Sequence, residues 1–205
     1  MTQISVTRAL AQVKSLTDRI QRGVNGGAFI AVSVGGKHNS GKSIQEVETL
    51  LKGSLQSVEE LIKVRKALKS AVVKSNAVTA VSIGGVVMTV AEAIERKSSI
   101  ELEKQLLNQV VAQQSRFTAE AERINVEVDK QAETLLNTAV GRDRQSTAAE
   151  LEAITGPFKK QREAKLIDPN GLTEVIERMS KDLDAFLLEV DYALSEVNAK
   201  TLITV

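Results

Sequence analysis

"FIAVSVGGKHNSGKSIQEVETLL" spans residues 29–51, and its reading decides the fold. Inside it, Gly36-Lys37-His38-Asn39-Ser40-Gly41-Lys42-Ser43 spells G-x-x-x-x-G-K-S/T, the phosphate-cradling loop of nucleotide hydrolases. A β-prone run, Ala28 to Val34, precedes it and a helical pattern follows, which is the context the motif requires. As a phosphate loop, with Gly36, Gly41, Lys42 and Ser43 on a nucleotide, it would put the chain among α/β proteins. As a capped turn, it leaves the chain mainly α.

The rest of the chain favours the turn. Phosphate-loop enzymes set the loop at a parallel sheet, where a second strand ends in an acidic residue that holds magnesium. The later strand candidates here are Thr79 to Ile83, Val86 to Met88 and the terminal "TLITV", and none ends in Asp or Glu. Gly84-Gly85 between the first two marks a two-residue hairpin, so that pair is antiparallel. As a turn, every residue has a simple role. Gly35, Gly36 and Gly41 supply permissive backbone. Ser43 caps a helix, Glu46 three residues on completes the capping box, and Lys42 and His38 are solvated.

Helical periodicity fills most of what remains. Val6, Leu10, Val13, Leu16 and Ile20 fall on one face of a first helix, closed by Gly23 to Gly27. Val47, Leu51, Val58, Leu61, Leu68 and Val72 make a near-heptad stripe on a second, from Ser43 to about Lys74. Thr89 with Glu92 forms another capping box, opening a third helix from Val90 to about Ala139. Fifty helical residues would extend about 75 Å and would need a partner helix along them. Gly141 is a break, followed by a short helix near Ala148 to Ile154 that ends at Gly156-Pro157. A last helix carries Leu172, Ile176, Met179, Leu183, Phe186, Val190, Leu194 and Val197, and Thr201 to Val205 reads as a final strand. That strand is expected to pair with the Thr79–Met88 hairpin or with Ala28 to Val34, on the same chain or on a neighbouring copy.

Composition agrees. Aromatic residues are 2% of the chain and Trp is absent, which suits helices packed through Leu, Ile, Val and Ala. Lys plus Arg number 27 against 26 Asp plus Glu, so no basic surplus attracts nucleic acid. No cysteine is present and His38 is the single histidine, which removes thiolate chemistry and multi-histidine metal sites. The uncharged stretch from Ala77 to Ala91 is too short and too rich in Ser, Thr and Gly to span a bilayer, and "MTQISVTRALAQV" lacks the pattern of a secretion signal. The acidic pairs Glu59/Glu60, Glu101/Glu103 and Glu120/Glu122 alternate with Lys and Arg as solvated helix faces do. Lys159, Lys160, Arg162 and Lys165 form a basic cluster without interleaved aromatics, as a surface patch does.

Asn76-Ala-Val-Thr79, Gly85, Met88-Thr89 and Ala91-Glu92-Ala93 resemble the pattern of the septicolysin-like family of small helical proteins. That pattern runs from an N-terminal helix through a polar β-prone loop and a second helix ending in Asn-x-x-Thr. A Gly-containing hairpin and a long helix opening with Thr follow. The resemblance covers roughly residues 6 to 115, and Leu183-Asp184 through Asn198 loosely echoes the family's C-terminal helix. Two features depart from it: the loop is "GGKHNSGKS" rather than acidic and proline-bearing, and residues 141–171 are extra. The resemblance implies bacterial or bacteriophage membership, with the phage members looking like virion or tail-associated structural proteins, and it brings no catalytic residue or cofactor.

The expected protein is therefore mainly α: an elongated antiparallel helical bundle or coiled coil with a small β-hairpin or sheet at one end. Its core with the β element occupies 1–140, an irregular insert 141–171, and a helix and strand that pack back on the core 172–205. The expected function is non-enzymatic: a structural assembly protein of a bacteriophage virion, tail- or neck-associated, partnered by itself and other virion proteins. No catalytic, cofactor or metal residue, nucleic acid or membrane span is expected. Nucleotide binding at Gly36, Gly41, Lys42 and Ser43 is the alternative, and a bacterial pore-forming or membrane-surface protein the second.

Overall fold

A computed structural model describes residues 2–35, 37–38, 40–140 and 148–204. Helix takes up 78% of the described residues, so the chain is mainly α. The order is β1 (Gln3–Ser5), α1 (Val6–Gly26), β2 (Ser33–Val34), β3 (Lys37–His38), α2 (Ile44–Val78), β4 (Ala80–Ile83), β5 (Val86–Thr89), α3 (Val90–Val140), α4 (Ala148–Arg162), α5 (Leu172–Lys200) and β6 (Leu202–Thr204). Two compact units divide the chain: Met1–Ser99 with Ala185–Val205, and Ile100–Asp184.

In the first unit α1 and α2 pack against each other as neighbouring helices of a hairpin. Val6, Ala9, Val13 and Leu16 of α1 are buried in one apolar cluster with Leu68 and Val72 of α2. The helices come close because Gly23 has no side chain: a Cβ there would stand 2.9 Å from Val58 Cγ2. Arg65 Nε donates to Thr17 Oγ1 at 2.8 Å across the same pair. Burying each Val or Leu of the cluster stabilises by about 1.5–3 kcal/mol. Both capping boxes form as the sequence indicates: Ser43 and Glu46 bond reciprocally at the start of α2, and Thr89 and Glu92 at the start of α3. The Gly84-Gly85 hairpin also forms, with Ala80 opposite Thr89 and Ile83 opposite Val86, and both glycines at positive φ. Glu189 of α5 accepts a 2.7 Å hydrogen bond from the Gly84 N–H, and Arg96 of α3 lies 4.4 Å over the Phe186 ring.

Three two-stranded antiparallel sheets make up the β content among the described residues. The final strand pairs neither with the hairpin nor with residues 28–34. It pairs with β1: Gln3 opposite Thr204, Ile4 opposite Ile203 and Ser5 opposite Leu202. The Val6 N–H donates to the Thr201 carbonyl at 3.0 Å where α5 ends, and Ile4 and Ile203 turn into the α1–α2 cluster. A strand goes where an apolar face can be covered, and here that place is beside the chain's own start. The expected strand Ala28–Val34 also shrinks: only Ser33 and Val34 pair, with His38 and Lys37. Beyond His38 the chain turns through Gly41 at φ 78° into the cap of α2, so none of the described residues there pairs with Ala28 to Val32.

In the second unit α4 runs through Gly156-Pro157, where the sequence suggested a stop. A residue before proline is pushed out of the helical region mainly by its own Cβ, which Gly156 lacks. Lys159 Nζ pairs with Asp129 Oδ1 at 2.7 Å and Arg162 Nη1 donates to the Gln131 side-chain Oε1 at 3.2 Å, which ties the last turns of α4 to α3. The break expected at Gly141 lies outside the described residues.

Candidate functional site

The described residues of the motif at 36–43 form a short strand, a turn and a capped helix start, and Gly36 and Asn39 lie outside them. Lys37 and His38, inside the motif, form the second strand of a hairpin, so the β-run before the motif meets an antiparallel neighbour. His38 Nδ1 lies 2.7 Å from Ser40 Oγ and accepts the Ser40 N–H, and the Gly41 N–H donates to the His38 carbonyl at 3.0 Å. Lys42 is exposed. A phosphate loop aims free N–H groups at its anion. Here both the N–H and the hydroxyl of Ser43 donate to one Glu46 carboxylate oxygen at 2.8 Å. The backbone N–H of Ser43, with its hydroxyl second, holds the Glu46 carboxyl below the ordinary carboxylate value. The Glu46 carboxylate thus takes the Ser43 donors that a phosphate loop would turn toward its anion.

A groove of about 590 Å³ with a mostly apolar lining opens in the second unit. Phe117, Ala121 and Ile124 of α3 form one wall, and Leu166, Ile167 and Pro169 from the segment between α4 and α5 form the other. Asn125 positions that segment: its Nδ2 donates to the Ala164 carbonyl at 3.0 Å and its Oδ1 accepts the Ala164 N–H at 2.7 Å. Asp168 then accepts the Asn170 and Leu172 N–H groups, turning the chain into α5, and Gln114 donates to Thr173 at 2.8 Å. The groove is apolar and open, with its carboxylates used in turns or on the rim. The sequence analysis did not single it out, although Leu166-Ile167, an apolar pair between two charged stretches, was its visible sign.

The first unit carries the most exposed apolar run. Phe29, Ile30, Val32 and Val34 are all exposed around the short β2. The Phe29 ring lies over Gly27, where a Cβ would approach its Cζ to 2.7 Å. Among the described residues no group of three or more His, Asp or Glu is gathered in a way that would hold a metal ion, and no helix is long and apolar enough to cross a membrane. Comparison with protein-family models, with curated proteins and with solved structures finds no match.

Proposed function

We infer that this chain is a non-enzymatic assembly protein that works by packing against further copies of itself. The observation that carries the reading is apolar surface left open in rows. Leu102 and Leu106 on α3, and Leu188 and Tyr192 on α5, are pairs at four-residue spacing, each side chain with more than half of its surface exposed. Scattered exposed apolar residues need no explanation, but rows on one helix face mark places where a partner sits. The near-neutral charge supports the same reading, because copies meet without strong repulsion. The finer statement, a tail- or neck-associated component of a bacteriophage particle, is supported by the septicolysin-like resemblance alone. Immunogold labelling of particles from the source culture checks it.

Light scattering coupled to gel filtration tests the coarser statement. The expected mass is a multiple of the 22.1 kDa chain. A single 22.1 kDa species at every loading would overturn it.

A further inference from the structure

We propose that residues 29–34 are a strand completed by a second copy of this chain, the two copies pairing antiparallel about Val32. The proposal rests on the assembly reading and names a surface on which assembly acts. Phe29-Ile30-Ala31-Val32-Ser33-Val34 has the composition of a strand, with Ile30, Val32 and Val34 at every second position and therefore on one face of extended backbone. Those three side chains are 88%, 77% and 81% exposed. A β-branched face at period two is what a chain buries, yet among the described residues only Ser33 and Val34 of this run have strand partners.

The edge that is open follows from the pairing that exists. Val34 and Lys37 are partners across the two residues between them, so the backbone groups of Val34 aim at Lys37. One residue back, Ser33 aims its N–H and C=O the other way, toward the free edge. Residues 29–32 carry no strand pairing of their own; once they extend β2 backward, alternation puts Ala31 and Phe29 on that edge with Ser33.

The sequence of this edge is complementary to itself. Antiparallel pairing about Val32 sets Ile30 opposite Val34, Ala31 opposite Ser33, and Val32 opposite its own copy. Branched side chains meet branched ones and small meet small. The two Ala31–Ser33 pairs carry the hydrogen bonds, and Val32 occupies the non-hydrogen-bonded position, where side chains lie closest. A two-fold axis through such a strand gives a closed, isologous contact. No charged residue falls between Gly26 and Val34, so a copy meets no like charge, and an acidic or basic partner would find nothing to pair with.

Area sets the strength. Edge pairing hides only the flanks of Ile30, Val32 and Val34 that face the other copy, so the area falls below the roughly 1,000 Å² of a stand-alone specific contact. This is a reversible contact that becomes firm when other surfaces hold the copies together.

The chain lacks cysteine, so Val32→Cys places a lone thiol at the two-fold axis. The non-hydrogen-bonded position suits a disulfide, because opposed Cβ atoms there lie about 4.5–5.5 Å apart and need close only slightly. Under mild oxidation the full-length Val32→Cys protein should form disulfide dimer about tenfold faster than Val87→Cys, a comparably exposed site on β5. Val32→Asp should raise the dimer dissociation constant at least about tenfold, with far-ultraviolet circular dichroism unchanged. If Val32→Cys links no faster than Val87→Cys, or if Val32→Asp leaves the mass of a self-associating chain unaltered, this strand is not the contact and the assembly reading stands without it. A wild-type chain that stays at 22.1 kDa, with no accelerated linking, removes both.

Discussion

Truncating Ile203 to alanine should unfold the first unit far more readily than truncating its neighbour Leu202. Ile203 is 6% exposed and sits in the cluster formed by Ile4, Val6, Ala9, Leu68 and Val72, whereas Leu202 is 60% exposed on the other face of the same strand. Loss of a buried isoleucine to alanine costs about 2–5 kcal/mol. A strand held through three register pairs can settle partly into the gap, which places Ile203→Ala in the lower half, about 2–3 kcal/mol. That is a large part of the roughly 5–15 kcal/mol that holds a domain folded, and it corresponds to a fall in melting temperature of about 10 °C. Leu202→Ala should stay within about 0.5 kcal/mol of the parent. Urea titrations followed at 222 nm, compared at a common slope, read both values. The pairing of Ile4 with Ile203 would be refuted if Leu202→Ala were as harmful or more so, because a one-residue slip exchanges the faces and puts Leu202 in the core. It would also be refuted if Ile203→Ala were silent.

Other consequences are as direct. Asn125→Leu removes both hydrogen bonds to Ala164 and should cost the second unit about 1–3 kcal/mol, with faster proteolysis between residues 163 and 170; unchanged cleavage would show that Asn125 does not pin that segment. Hydrogen bonds from Ser43 and Thr89, the backbone N–H first in each case, hold the Glu46 and Glu92 carboxyls below their ordinary value. Their stabilisation is therefore complete above the unfolded carboxylate pKa and is lost as pH falls through the lower folded value. The urea midpoint should drop on acidification below the ordinary carboxylate range, and a Ser43→Ala, Thr89→Ala double variant should show a shallower drop; an identical slope would contradict the capping assignment. Calorimetry with ATP or GTP and magnesium, at concentrations up to about 1 mM, should register no binding heat, and a saturating heat abolished by Lys42→Ala would restore the nucleotide reading.

The helices and their caps were legible because their signals are local. A capping box is four residues long, so Ser43-Ile-Gln-Glu46 and Thr89-Val-Ala-Glu92 identified the starts of α2 and α3 without any tertiary information. Gly84-Gly85 likewise fixed the β4–β5 hairpin, since a two-residue turn needs positive φ. What escaped depends on distant partners. β1 is three residues long and mates with β6 at the far end of the chain, so its pairing leaves no trace in neighbouring sequence. The last two turns of α4 escaped because Gly156-Pro157 looks like a stop, whereas Asp129 and Gln131 on another helix hold the helix through that point. The β pattern of residues 28–34 was real in the sequence, but among the described residues only its Ser33 and Val34 find a mate. The groove residues 164–169 escaped because one Asn side chain, far away in sequence, places them.

Sedimentation equilibrium of the full-length chain beside Val32→Asp, from about 1 µM to about 1 mM, bears most directly on self-assembly. The wild-type mass should climb from 22.1 kDa toward twice that value or beyond as concentration rises, and the variant should lag at every loading. A wild-type chain that holds at 22.1 kDa across the whole range would contradict the account.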